Sequence, residues 1–113
     1  NYDIYGRLVL PSGGPIGGSF SISALATDQK NPAVAFSSGD GEFLCVFEDP
    51  SAGNSNIAGR RVSLAGVLVG GAISIAANPA AETLPALAYG LIADRYLAVW
   101  VRSGDIYARA YWP

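Results

Sequence analysis

The chain lacks the side chains on which most catalytic and metal sites depend. Its 113 residues include no histidine, no methionine, one cysteine and one lysine, Lys30. Because histidine is the usual general base at neutral pH and the commonest metal ligand, its absence weighs against both kinds of site. A single cysteine makes no internal disulfide, and Cys45 lies in the apolar segment FLCVF, where a buried and inert thiol is expected. We therefore predict that the protein is not an enzyme and has no catalytic residues.

Charge is also scarce in this sequence. Charged residues make up 14% of the chain, and the net charge is −2. A nucleic-acid-binding surface needs a basic face, and electrostatic attachment to a membrane needs basic clusters, so neither partner is expected. The nine acidic residues show no pairing of the kind that glycoside hydrolysis requires.

One uncharged stretch, residues 62–81, has about the length that spans a bilayer. It is interrupted by Gly70 and Gly71 and by the Asn78-Pro79 step. Its counterpart earlier in the chain, VLPSGGPIGGSFSISALATD, contains polar residues that a bilayer excludes. Since equivalent positions of a repeat have equivalent environments, we predict a strand–turn–strand here and no membrane span.

The first residue is Asn1 and not methionine. We take this as favouring an exported mature protein, located outside the cell or at the cell surface. A fragment cut from a longer chain is the alternative interpretation.

An internal repeat is the strongest positive feature. Residues 4–23 (IYGRLVLPSGGPIGGSFSIS) match residues 57–76 (IAGRRVSLAGVLVGGAISIA), and the pattern begins a third time at Ile106 as IYARAYW. The first two copies are offset by 53 residues and the next two by 49, with the difference lying in the link after Phe47. A period near fifty residues indicates a repeat architecture.

Each period predicts four short strands, which we name a, b, c and d. Apolar segments are separated by clusters of Gly, Pro, Ser, Asn and Asp, the residues that turns require. No segment keeps a 3.6-residue period, so the chain is predicted to be all-β. The predicted strands are 32–36 and 85–89 for a, 42–48 and 95–101 for b, 3–10, 56–64 and 105–112 for c, and 19–23 and 72–76 for d.

The two faces of these strands differ in a way that predicts layers. Strand b is apolar on both faces, with Phe43, Cys45 and Phe47 on one and Leu44 and Val46 on the other. A strand that is dry on both faces belongs to a sheet packed on both sides. Strand a is expected to be dry as well, and the arginine-bearing strand c is expected nearer to solvent. Such a gradient is typical of a propeller blade.

The succession of motifs also resembles a known repeat. Asp-Ile-Tyr-Gly-Arg, Gly-Gly with Phe-x-Ile-Ser, Asn-Pro-Ala-Val-Ala-Phe and Phe-Leu-Cys-Val-Phe-Glu-Asp are similar to the tandem blade repeat of secreted bacterial β-propeller proteins. The resemblance implies antiparallel four-stranded blades, about two per chain. A closed propeller needs about four to eight blades, so two repeats are too few to close a ring. A compact two-sheet β-sandwich is the alternative fold.

The strand order predicts one domain, 1–113, whose sheets are unequal. Residues 1–23 supply only strands c and d, residues 32–77 a complete blade, and residues 84–113 a blade that lacks strand d. Because unpaired strand edges seek partners, we expect the sheets to be completed between protomers. The predicted function is a non-enzymatic extracellular structural protein that self-assembles head-to-tail into a filament or ring. The alternative is a lectin-like or adhesive propeller module that binds surface glycans.

Aromatic residues on the terminal copies of strand c mark the predicted assembly interface, because Tyr and Trp are enriched at such interfaces. The predicted interface residues are Tyr2, Ile4, Tyr5, Tyr107, Tyr111 and Trp112.

No cofactor is expected, although the link EDPSAGNSN collects oxygen ligands that would suit calcium. These ligands are Glu48, Asp49, Ser51, Asn54 and Asn56. Their spacing is not that of an EF-hand, and a surface turn rich in Asn and Asp is the alternative interpretation.

Overall fold

The computed structural model describes residues 1–112, and every regular element in this range is a β-strand. All pairing is antiparallel. The all-β prediction is confirmed, and each of the nine predicted strands overlaps an observed one. The strands are β1 (Ile4–Val9), β2 (Pro15–Ser23), β3 (Lys30–Ser37), β4 (Glu42–Asp49), β5 (Asn56–Ser63), β6 (Leu68–Ala76), β7 (Glu82–Gly90), β8 (Arg95–Arg102) and β9 (Asp105–Tyr111).

The strands form three open sheets. The first sheet is β1-β2, the middle sheet is β3-β4-β5-β6, and the last sheet is β7-β8-β9. Within residues 1–112 no sheet closes on itself. The sheets pack face to face, in agreement with the sandwich alternative, although they number three and not two. The uncharged stretch 62–81 contains the end of β5 and all of β6, as predicted, and residues 1–112 include no helix long and apolar enough to cross a membrane.

The middle sheet is the centre of the packing because both of its faces are buried. We call the face with Leu44 and Val46 its front, and the face with Cys45 and Phe47 its back. The front packs against the last sheet in one apolar core, and the back packs against the first sheet in another. All four side chains are at most 3% exposed, which confirms that this copy of strand b is dry on both faces.

The predicted gradient from dry strands a and b to wetter strands c and d is wrong. On β3, a copy of strand a, Val34 and Phe36 are exposed, whereas Ile57 and Ala58 on β5, a copy of strand c, are buried. On β8, the second copy of strand b, Leu97 is half exposed. Burial follows the neighbouring sheets instead: the first sheet has only two strands and covers only part of the middle sheet, and nothing in residues 1–112 covers the front of the last sheet.

Two buried side chains anchor the links between sheets by the same bonds, 53 residues apart. Gln29 and Glu82 are both fully buried, each just before or at the start of a strand a. Each side chain accepts a hydrogen bond from the backbone N–H four residues earlier. The backbone N–H of the same residue donates to a backbone carbonyl in the preceding repeat copy. The bonds are Leu25 N to Gln29 Oε1 (3.0 Å), Asn78 N to Glu82 Oε1 (3.1 Å), Gln29 N to Tyr2 O (2.9 Å) and Glu82 N to Ser55 O (2.8 Å).

The residue two positions after each of these anchors, Asn31 in one copy and Leu84 in the other, has an unusual backbone conformation that is strained in only one of the two copies. Asn31 and Leu84 both adopt a left-handed backbone, with φ of 54° and 53°. Asparagine tolerates this conformation, whereas leucine pays a steric cost. We expect Leu84→Asn to raise the free energy of unfolding by about 0.5–1 kcal/mol and the melting temperature by about 2–5 °C, measured by thermal unfolding.

Leu84→Ala is the matched control for this change. It removes the same exposed side chain but keeps a Cβ without a polar group, so no stabilisation is expected from relief of strain. Equal melting temperatures for the two variants would contradict the argument.

Candidate docking groove

A groove of about 410 Å³ lies between β1 and the back of the middle sheet. β1 pairs only with β2, so its other edge has no strand beside it within residues 1–112. The lining is mostly apolar and includes Val34, Phe43 and Cys45 of the middle sheet. An open strand edge beside an apolar floor is the geometry that accepts an added β-strand.

The repeat shows what this groove lacks. The last sheet has strands a and b, and its Leu87 and Tyr89 pack onto the core at the front of the middle sheet. The residues 53 positions earlier, Val34 and Phe36, point from the back of the middle sheet. Within residues 1–112 the first sheet has no strand a or b on that side. Val34 is accordingly 61% exposed. The groove is the space that these two strands of the first sheet would fill.

An aromatic pair occurs at both positions. The rings of Phe36 and Phe43 lie 5.1 Å apart, and those of Tyr89 and Tyr96 lie 5.4 Å apart. Tyr96 is buried against the middle sheet and donates a hydrogen bond to the Glu42 carbonyl (3.3 Å). In the phenylalanine pair, Phe43 lines the groove and Phe36 is exposed.

The front of the last sheet is the second uncovered surface. Leu97 is 50% exposed, although Leu44, its equivalent on the middle sheet, is fully buried. Arg95, two residues earlier on β8, and Thr83, which pairs with Val101, lie on this face as well. The other neighbours that the strand register places there are apolar. These neighbours are Ala86, Ala88, Val99, Val101, Ile106, Ala108 and Ala110.

The predicted interface residues divide between two sites. Tyr2 and Tyr5 are exposed near or on the first sheet, and Tyr107 and Trp112 are exposed on or after β9. The first and last sheets lie on opposite faces of the middle sheet, so these side chains do not form one patch.

Two members of the predicted set are less available. Ile4 is 3% exposed and belongs to the core between the first and middle sheets, so its side chain is not a free interface residue, although Ile4 contributes to the lining of the groove. Tyr111 is half-buried against the other core. The sequence prediction followed aromatic content and so missed Val34, Phe36 and Leu97. The signal that identifies them is the apolar character of both faces of strands a and b.

The arginines that recur on strand c contact backbone carbonyls. Two of them join adjacent sheets, because each reaches a carbonyl on strand d of the sheet before its own. The bonds are Arg60 Nη1 to Ile22 O (3.5 Å) and Arg109 Nη1 to Ile75 O (3.0 Å). Within their own hairpins the bonds are Arg7 Nε to Gly17 O (2.9 Å) and Arg60 Nη2 to Gly70 O (3.1 Å).

The oxygen-rich link between β4 and β5 is tied into the structure by its own hydrogen bonds. Glu48 Oε2 accepts from Asn31 Nδ2 (2.6 Å) and from Leu84 N (2.7 Å). Asp49 accepts from Ser51. In the part of the chain that the structure describes, no three Cys, Asp or Glu side chains lie close enough together to hold a metal ion. Calcium binding stays an untested prediction.

The groove floor includes the only thiol of the chain. Burial raises the pKa of Cys45 to about 11, and burial is also the main cause that raises the pKa of Tyr96 to about 12. In alkaline solution the folded state therefore binds more protons than the unfolded state, and stability falls as pH rises. We expect the free energy of unfolding to fall by about 2 kcal/mol from the thiol alone between about pH 8.5 and pH 11.

Urea unfolding at a series of pH values measures this slope, and Cys45→Ala is the control. The variant loses the thiol contribution and keeps the tyrosine contribution, so its stability should fall less between pH 8.5 and pH 11. Parallel curves for the two proteins would contradict the role given to burial of the thiol.

The chain thus presents two uncovered apolar surfaces, the groove and the front of the last sheet. They lie on different sheets, and no strand within residues 1–112 covers either of them. Comparisons of the chain with protein-family models, curated proteins and solved structures found no match, and none identifies a tandem blade repeat.

Proposed function

We propose that this protein is a non-enzymatic structural protein that assembles head-to-tail into a filament or ring. The last sheet of one copy sits in the groove of the next copy, beside β1. In this arrangement the sheets act as propeller-like blades, about two per copy, that are completed between protomers. Assembly outside the cell follows from the resemblance to secreted blade repeats.

The observation that supports this proposal is a contact that occurs twice within the chain. The front of the first sheet packs on the back of the middle sheet, and the front of the middle sheet packs on the back of the last. Residues 1–112 leave the front of the last sheet and part of the back of the middle sheet uncovered. A neighbouring copy can therefore repeat the same front-to-back contact.

Physical chemistry favours this contact over the separated chains. Exposed apolar faces of this kind are uncommon on monomers, and covering them removes apolar surface from water. The contact joins two different surfaces, so each copy keeps one free donor and one free acceptor and growth continues until a ring closes. The low charge of the chain limits repulsion between copies.

Electron microscopy and light scattering of the purified chain test the proposal. We expect filaments or uniform rings for the wild-type chain and monomers for either Val34→Asp, in the groove, or Leu97→Asp, on the last sheet. Both side chains are exposed in the single chain, so the fold tolerates the changes. Val67→Asp is the matched control, because Val67 is also 61% exposed but lies in the turn before β6, outside both surfaces.

A mixture of the two blocked variants distinguishes head-to-tail contact from a symmetric one. Val34→Asp keeps an intact last sheet, and Leu97→Asp keeps an intact groove, so equal amounts should form one-to-one dimers and nothing longer. A wild-type chain that stays monomeric at high concentration would overturn the proposal, as would a failure of the mixture to form dimers.

A further inference from the structure

The assembly described above contains one strand too many. The last sheet supplies strands a, b and c as β7, β8 and β9, while the first sheet of the next copy supplies strands c and d as β1 and β2. The groove has β1 on one side, in the place of strand c. A seated last sheet would therefore bring β9 and β1 to the same position. One of the two strands has to leave.

We infer that β1 of one copy replaces β9 beside β8 of its neighbour, so that assembly proceeds by strand exchange. This inference rests on the proposed head-to-tail function and specifies its contact. The completed sheet then reads β7-β8 from one copy and β1-β2 from the next, in the antiparallel order of the intact middle sheet. The partner is thus a second copy of this chain, recognised through a strand edge.

The two competing strands carry the same side chains at the same places. Asp-Ile-Tyr begins both, as Asp3-Ile4-Tyr5 and as Asp105-Ile106-Tyr107, and an arginine follows two residues later in each. In the present sheet Tyr107 lies under the guanidinium of Arg102, 3.6 Å from the ring centroid. Tyr5 supplies an equivalent ring after the exchange, so this cation–π contact is kept.

The arginine contact is kept in the same way. Arg109 on β9 donates to the Ile75 carbonyl of the middle sheet at 3.0 Å, and Arg60 makes the equivalent bond to Ile22. Arg7 is the third arginine of this series, and in the single chain its Nε donates to the Gly17 carbonyl within its own hairpin. The exchanged β1 places Arg7 where Arg109 was, within reach of the Ile75 carbonyl of the neighbouring copy.

β9 is the strand that leaves, because it is held less firmly. Residues 105–110 of β9 are all exposed. β1 instead has Ile4 in a core, and the residues before it are tied down by the bonds from Tyr2 N to Asp28 Oδ1 (2.8 Å) and from Asn1 Nδ2 to Leu25 O (3.0 Å). Exchange therefore gives up few buried contacts while it covers the groove and the front of the last sheet.

Paired cysteine substitutions in the full chain test the exchange. Leu44 on the middle sheet stands opposite Arg61, and the repeat carries this pair to Leu97 on β8 and Leu8 on β1 of the next copy. Leu97 stands opposite Ala110 on β9 in the single chain. The variant Leu8→Cys/Leu97→Cys therefore reports exchange between copies, and Leu97→Cys/Ala110→Cys locks β9 in place within one copy.

We expect the Leu8→Cys/Leu97→Cys chain to form a ladder of disulfide-linked oligomers under mild oxidation, resolved on non-reducing gels. The Leu97→Cys/Ala110→Cys chain should assemble when reduced, lose assembly when its internal disulfide is formed, and regain it with reductant. Leu97→Cys alone is the control and should assemble in both conditions. The buried Cys45 is common to all of these proteins.

The outcomes separate this inference from the proposed function. Assembly that persists with β9 locked, together with no ladder from the other pair, would overturn strand exchange and leave head-to-tail assembly standing. A wild-type chain that does not assemble would overturn both.

Discussion

Phe47→Ala should lower the free energy of unfolding by about 3–5 kcal/mol, a large part of the roughly 5–15 kcal/mol that holds a domain of this size together. Phe47 is 1% exposed and sits in the core that joins the first and middle sheets. Its neighbours there include Ile4 and Ile22, which fix the two strands of the first sheet. Removing the ring leaves a cavity between the first and middle sheets and takes away an apolar contact of the β1–β2 hairpin.

Urea unfolding measures the loss, and hydrogen exchange locates it. Amides of residues 4–23 should lose protection more than those of β8, because the first sheet has only two strands and depends on this core. Phe47→Leu is the matched control and should cost less than half as much, since it fills most of the space. Uniform loss of protection across all three sheets would contradict a local role for the core between the first and middle sheets.

Glu82→Leu should lower the free energy of unfolding by about 3 kcal/mol. The Glu82 side chain is fully buried, and Oε1 accepts the bond from Asn78 N. Oε2 has no hydrogen-bond partner among residues 1–112 but lies 3.5 Å from Nη1 of Arg102. Leucine of similar volume would leave the Asn78 N–H without an acceptor and Arg102 without its carboxylate.

The chain itself provides the control for this position. Gln29 occupies the same place in the preceding repeat and accepts the same bond at 3.0 Å. Glu82→Gln keeps this acceptor and removes a buried charge, so we expect its stability to stay within about 1 kcal/mol of wild type. Urea unfolding measures the free energy of unfolding of both variants. An equal decrease for Glu82→Gln and Glu82→Leu would show that the ion pair with Arg102, and not the hydrogen bond, stabilises the link.

The sequence predicted the strands well because their signals are local. Apolar segments separated by turn-forming residues mark all nine strands, and the repeat supplies each signal more than once. The burial of those strands was predicted less well, since it depends on how many strands the adjacent sheet contains. Val34 and Leu97 look like core residues in sequence and are exposed in the structure because no strand of the described range, 1–112, lies over them.

The hydrogen-bonded links were missed for a different reason. Gln29 and Glu82 are polar residues in segments that resemble loops, and only their 53-residue spacing distinguishes them from surface residues. The signal in the sequence is that polar side chains of similar shape occupy equivalent positions of the two repeat copies. The arginine bonds to carbonyls were not predictable, because they depend on how closely strand d of one sheet approaches strand c of the next.

The two links with identical hydrogen bonds also bear on how such a chain changes in length. Each link forms hydrogen bonds only near the sheet before it and the sheet after it. The stability of the stack is therefore approximately a sum of contributions from single sheets and from pairs of neighbouring sheets. A gene duplication that copies 53 residues in register would add one layer and reproduce every link. A duplication out of register by a single residue would reverse the faces of the new strands. Variation in the number of layers is therefore tolerated by this architecture, whereas small insertions within a layer are not.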